Sequence, residues 1–198
     1  MSKLAVFFPG IGYTVDKPLL HYSRRLAQEQ GYEIKLIPYK GFPDKVKGDQ
    51  DRMKRSFQIA LDQASDMLSE VDLNAYQEIL FVGKSIGTTV AAKLASGFPK
   101  KETLRLILYT PVEQTFSFDF GDAVVFSGTD DPWVGGRESR IPDLAAGRGY
   151  PCYMIEGANH SLETGCVEKD IQNLSKIMEE TRRFIEWDRR TERITVLP

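Results

Sequence analysis

The sequence predicts an α/β protein: a three-layer sandwich of about six mostly parallel strands with helices on both faces. Three observations predict it. Apolar, strand-like runs alternate with helical patterns along the whole chain, the βαβα order of a doubly wound sheet with right-handed crossovers. Several of the runs are continuous Val/Ile/Leu/Phe, as strands buried on both faces of a parallel sheet require. The helical stretches end at glycine and proline stop signals.

Taken in order, the first strand is expected at 4–8, Leu4-Ala5-Val6-Phe7-Phe8. With Met1-Ser2-Lys3 before it this start superficially resembles a signal peptide, but Pro9-Gly10 cuts the run short and no Ala-x-Ala-like site follows. A helix over 17–30 buries Leu19, Leu20 and Leu26 and stops at Gly31. A strand at 33–39 leads into the Gly/Pro/Lys/Asp-rich segment Lys40–Asp51. Residues 51–71 carry Met53, Phe57, Ile59, Ala60, Ala64, Met67, Leu68 and Val71 at near-helical spacing, which makes one apolar face. Strand 78–83 and helix 86–96 follow, the helix ending at Gly97 with Pro99 beyond. Strands at 104–110, 122–127 and 151–156 precede a last helix at about 169–187. In the tail 191–198, Ile194-Thr195-Val196 adds an edge strand or simply trails.

The 198 residues fit one domain, with no repeat and no interdomain linker. A formal net charge of −2 without a Lys/Arg stripe argues against a nucleic-acid or anionic-membrane partner. No apolar stretch approaches the roughly 20 residues of a membrane span. Cys152 and Cys166 lack framework or metal spacing, so a reduced, cytoplasmic protein is expected. With only two histidines beside them, the ligands are too few for a zinc site, and no metal or cofactor is expected.

The chemistry concentrates at Gly83-Lys84-Ser85-Ile86-Gly87, where the run Ile79-Leu80-Phe81-Val82 meets a helix of small residues. A serine between glycines at a strand-to-helix junction is the layout of a nucleophile elbow. The turn leaves almost no room for a Cβ two residues either side of the serine, and its strained backbone lifts the hydroxyl clear of the sheet. Two nucleotide-binding readings fail on residues. Gly83-Lys84-Ser85 resembles the end of a phosphate-binding loop, but Glu78 stands where that loop needs its first glycine. Gly10-Ile11-Gly12 resembles a dinucleotide fingerprint, but Val15 replaces its third glycine.

A serine needs a base to take its proton, and the chain offers His21 and His160. His21 lies in the first helix. His160 follows the strand ending near Glu156 and the short loop Gly157-Ala158-Asn159, at the sheet edge where Ser85 emerges. An acid to fix the histidine's tautomer is offered by Ser127-Gly128-Thr129-Asp130-Asp131-Pro132, where Asp130 and Asp131 compete, with Glu156 and Glu163 as more distant alternatives. Asp131, ahead of Pro132, also suits a helix cap. The order serine, aspartate, histidine is that of an α/β-hydrolase triad. For the oxyanion, the donors expected are the N–H of Ile86 and one from Pro9-Gly10-Ile11-Gly12-Tyr13, with Ile11 ahead of Gly12.

Phe8-Pro9-Gly10, Gly83-Lys84-Ser85-Ile86-Gly87-Thr88, Gly128-Thr129-Asp130-Asp131-Pro132 and Gly157-Ala158-Asn159-His160-Ser161-Leu162-Glu163 together resemble the α/β-hydrolase superfamily. The likeness is to its small, lidless, dienelactone-hydrolase-like bacterial branch, over nearly the whole chain. In that family the acid loop usually reads Gly-x-x-Asp-Pro, which implies Asp131. There are departures. Pro9 stands where many members have histidine, and serine replaces the cysteine of dienelactone hydrolases proper, so lactone hydrolysis is not implied. The sheet starts at the family's third strand, with about six strands instead of eight. Only Thr110 to Asp122 separate the fourth and fifth strands, too short for a cap domain. The resemblance implies a serine hydrolase acting through an acyl-enzyme, the missing cap points to small soluble esters or related acyl compounds, and strand-end position alone offers Tyr13, Tyr39, Glu113 and Trp133 as pocket residues. The competing readings are a non-catalytic binding module on the same fold and acyl transfer to an acceptor other than water.

Overall fold

A computed structural model describes residues 2–187. The suggested edge strand at 191–198 lies outside the described residues. Among the described residues six strands form one sheet: β1 (Lys3–Phe8), β2 (Glu33–Leu36), β3 (Glu78–Lys84), β4 (Leu104–Tyr109), β5 (Ala123–Gly128) and β6 (Cys152–Ile155). Their spatial order is β2-β1-β3-β4-β5-β6, and every pairing is parallel. Four α-helices among the described residues connect strands, α1 (Pro18–Glu29), α2 (Gln50–Ser69), α3 (Ile86–Ser96) and α4 (Ile141–Ala146), and α5 (Val167–Glu186) follows β6.

Alternation along the strands divides the core into two layers. Leu4, Val6, Phe8, Ile79, Phe81, Leu104, Leu106, Leu108 and Val125 face α2, α3 and α4. Ala5, Phe7, Leu80, Val82, Ile107, Tyr109, Val124 and Phe126 face α1 and α5. The small residues Val90, Ala91, Ala92 and Ala95 let α3 lie close on the sheet, and α2 packs on it through Ala60, Ala64 and Leu68. Arg105 is the charged exception in β4, only 7% exposed. Its guanidinium donates to the carbonyls of Phe184, Ile185 and Trp187 and to the Tyr32 hydroxyl, so it satisfies the orphan C-terminal carbonyls of α5.

The element bounds differ from expectation where local chemistry intervenes. β2 ends at Leu36 rather than 39: Ile37 N–H still donates to Phe7 at 3.1 Å, but Pro38 has no N–H to continue the ladder. α4 is absent from the sequence-based expectation, because six residues carry too short a period to register. Between β4 and β5 stands a 3-10 turn, Glu113–Ser117, and no inserted cap domain.

Since all strands run the same way, their carboxyl ends share one edge. The chain leaves β1 toward β2 on one side, then returns across it to β3 and continues through β6 on the other. The switch point thus falls between β1 and β3, where ligands of open α/β sheets gather.

Candidate active site

β3 delivers Ser85 at that switch point. Ser85 has φ 54° and ψ −123°, a backbone of positive φ that non-glycine residues rarely occupy. Sterics hold it there. A Cβ on Gly87 would come within 2.0 Å of the Phe8 carbonyl oxygen, and one on Gly83 within 2.7 Å of the Thr88 Cα. Thr88 Oγ1 donates to the Ser85 carbonyl at 2.6 Å and shares a hydrogen bond with Thr115 at 2.8 Å, while Thr89 bonds Thr115 at 3.0 Å. This threonine cluster fastens the elbow to the 3-10 turn after β4.

The loop after β6 brings His160 to the serine. Asn159 Oδ1 accepts the N–H groups of Ser161 and Glu163, so the loop is closed by its own side chain. The loop after β5 lies against it: Asp130 N–H donates to the Ala158 carbonyl and Gly157 N–H to Thr129 Oγ1. Gly128 makes the contact possible, since a Cβ there would meet the Ala158 carbonyl at 2.1 Å.

The result is a continuous relay. His160 Nε2 lies 2.8 Å from Ser85 Oγ, and His160 Nδ1 lies 2.7 Å from Asp131 Oδ2. Asp131 is fully buried, and its Oδ1 accepts the Trp133 N–H at 2.9 Å. Asp130 instead points outward, 3.8 Å from Arg137. Of the competing aspartates, the structure brings Asp131 to His160. His21 lies on α1, beside Tyr22 and Arg24.

Burial holds the His160 pKa below its ordinary 6.5, with the hydrogen bond to Asp131 opposing and the charges of Lys84 and Lys47 adding to the fall. Lys84, immediately before Ser85, is 1% exposed, with its ammonium 4.9 Å from the Tyr13 ring centroid. Desolvation pulls its pKa down to about 7, against the attraction of Asp131 and Glu163.

The other expected residues fall as follows. Ile86 opens α3, whose first-turn amides have no intrahelical acceptor. The loop after β1 doubles back through a Gly10–Tyr13 bridge, and the N–H groups of Ile11 and Gly12 at its tip donate to no backbone carbonyl among the described residues. A Cβ on Gly10 would touch the Ser85 Cβ at 3.3 Å, so the loop rests on the elbow. Trp133 stacks on the His160 ring, with centroids 5.3 Å apart. Tyr13 turns away: its hydroxyl accepts the Leu19 N–H. Tyr39 meets Phe42 edge-to-face, and Glu113 pairs with Arg140 at 3.5 Å. The cleft beside Ser85, about 470 Å³, is lined by other residues, chiefly Met53, Phe57, Ile86, Val112 and Phe118. Met53 and Phe57 stand on the apolar stripe of α2, and the stripe alone does not reveal that its first turns line a cleft.

No helix among the described residues is long and apolar enough to cross a membrane. No protein-family profile matches the chain, and no curated protein matches it in sequence. Solved structures do match. A protein of unknown function from Agrobacterium tumefaciens, classed provisionally with the α/β hydrolases, shares 14% identity over 100% of this chain and 89% of its own, with a TM-score of 0.65. A lidless α/β serine hydrolase from Xanthomonas campestris shares 12% over 94% and 84%, also at 0.65. An α/β serine hydrolase homologue from Coxiella burnetii shares 15% over 90% and 84%, at 0.61. These likenesses show the fold, and the chain has the α/β-hydrolase fold.

Proposed function

We propose that the protein is a serine hydrolase that cleaves small soluble esters or related acyl compounds through an acyl-enzyme. One observation carries the reading: a strained serine hydrogen-bonded to a histidine that is itself hydrogen-bonded to a buried aspartate. Fold likeness to a protein described as a lidless serine hydrolase supports it by analogy.

In this mechanism Ser85 Oγ attacks the acyl carbon while His160 Nε2 takes its proton, so the carbonyl oxygen becomes an oxyanion. The N–H groups of Ile86 and of Ile11 or Gly12 receive that charge. His160 then protonates the leaving group as the oxyanion collapses to the acyl-enzyme. Water, deprotonated by His160, attacks the acyl carbon in turn, and Ser85 leaves with its proton restored. Asp131 holds His160 with Nδ1 protonated and stabilises the imidazolium. No metal or cofactor enters the proposal.

A fluorophosphonate probe should label the protein stoichiometrically, with labelling lost in Ser85→Ala. A folded wild type that stays unlabelled overturns the proposal.

A further inference from the structure

The cleft beside Ser85 carries a charge that the hydrolytic mechanism does not use. Its walls are mostly apolar, but Lys54 stands among its lining residues, with Gln50 and Gln114 also lining it. Lys54 is exposed and makes no ion pair among the described residues, not even with Asp51 one turn earlier on α2. Lys47 reaches the other side of the site. Its ammonium lies 5.8 Å from the centroid of Trp133, the ring that stacks on His160, and it too has no ion-pair partner among the described residues. Lys93 adds a third positive charge, 5.5 Å from the centroid of the cleft residue Phe118.

Three acids near the site pair with arginines, whereas Asp51, one turn before Lys54 on α2, lies outside the cleft lining and forms no ion pair among the described residues. Asp49 bonds Arg52, Glu113 pairs with Arg140, and Asp130 pairs with Arg137. A chain of net charge −2 therefore presents a cleft whose only formally charged lining residue, among those described, is a lysine. A cleft lined by one sign of charge concentrates ligands of the opposite sign.

The position of the charge says which part of a substrate meets it. The leaving group must lie within reach of His160, on the side of Trp133. The cleft lining includes Ser85 and Ile86 but neither His160 nor Trp133, so the group it holds is the acyl chain. One lysine in the lining itself, without an arginine fork, matches a singly charged carboxylate better than a dianionic phosphate.

We propose that the substrate is an anionic acyl compound, an aliphatic acyl chain lying in this cleft with a carboxylate at its far end held by Lys54 and drawn in by Lys47. The proposal rests on the serine-hydrolase reading for the chemistry of turnover, but its recognition step does not require turnover.

The test is therefore binding to Ser85→Ala by calorimetry, with monomethyl adipate as the anionic probe and dimethyl adipate as its neutral match. The monoanion should bind tighter at low salt by up to about fivefold, with the advantage shrinking at about 0.5 M salt. Adding Lys54→Gln should bring the ratio toward one. Adding Lys100→Gln, an exposed lysine at the opposite sheet edge, should leave it unchanged. Equal binding of the two probes, no binding of either, or a ratio unmoved by Lys54→Gln overturns the proposal. In wild type, the kcat/KM ratio of 4-nitrophenyl hydrogen glutarate to 4-nitrophenyl butyrate should likewise favour the anion and fall with Lys54→Gln. An absence of fluorophosphonate labelling in folded wild type would sink the hydrolase reading, while the calorimetry would still decide anion recognition by itself.

Discussion

At the residue scale, Asp131 does two jobs that its two oxygens separate. Oδ2 meets His160, and Oδ1 holds the Trp133 amide, which fixes the turn that carries the ring stacked on His160. Asp131→Asn keeps the shape but offers His160 the wrong tautomer, so kcat should fall by a factor on the order of 10⁴. Asp130→Asn should change it by no more than about threefold, since that carboxylate faces Arg137 and solvent. Ester-hydrolysis kinetics on the two variants decide between them.

The pH dependence follows from the same residues. A general base must be neutral, and burial places the His160 pKa below 6.5. Activity should hold through neutral pH and fall on acidification through a midpoint below that value; a profile flat to about pH 5 would remove His160 as the base. Lys84, whose pKa lies at about 7, is charged where His160 titrates. Lys84→Met should therefore move the acid limb upward. The same lysine makes a stability prediction. Its folded pKa lies below 10.5, so the unfolded chain binds more protons and stability rises with pH between about 7 and 10.5. Urea unfolding at both ends of that window should show a rise that Lys84→Met diminishes.

At the element scale, the site depends on close approach of backbones. Sequence motifs place Gly87 and Gly128, but the contacts that demand glycine, with Phe8 and Ala158, are tertiary. Gly128→Ala should destabilise by about 3 kcal/mol or prevent folding, because the clashing atoms are carbonyl groups that have no free rotamer. Thermal denaturation measures it. The cleft wall depends on α2 in the same way. Met53→Trp should fill the space beside Ser85 and raise KM for long acyl groups more than for acetyl, which a series of 4-nitrophenyl esters would read out.

At the scale of the whole molecule, the parallel sheet gathers three loops from β3, β5 and β6 onto one edge, and the short β4–β5 connection leaves that edge uncapped. An uncapped cleft of about 470 Å³ holds a limited chain. Activity should climb by about fourfold per methylene from acetyl while the chain still finds apolar wall, at about 0.8 kcal/mol each. It should fall once the chain outgrows the cleft. A rate indifferent to chain length would separate this cleft from the acyl chain.

The strand count, the parallel order of elements and the serine, aspartate and histidine that meet are all legible in the chain before it folds. Buried parallel strands must be continuously apolar, and an elbow needs its glycines, so both leave marks in adjacent residues. Three things are settled only in the folded molecule. Geometry selects Asp131 over Asp130, since neighbours in sequence point opposite ways from a loop. The walls of the cleft come from Met53, Phe57, Val112 and Phe118, and Tyr13, Tyr39 and Glu113 are not among its lining residues, because a wall is built from elements far apart in the chain. Lys47 and Lys54 stand at the site while Asp49, Glu113 and Asp130 pair with arginines, since the sign of a local field depends on which charges pair, and pairing is settled only in space.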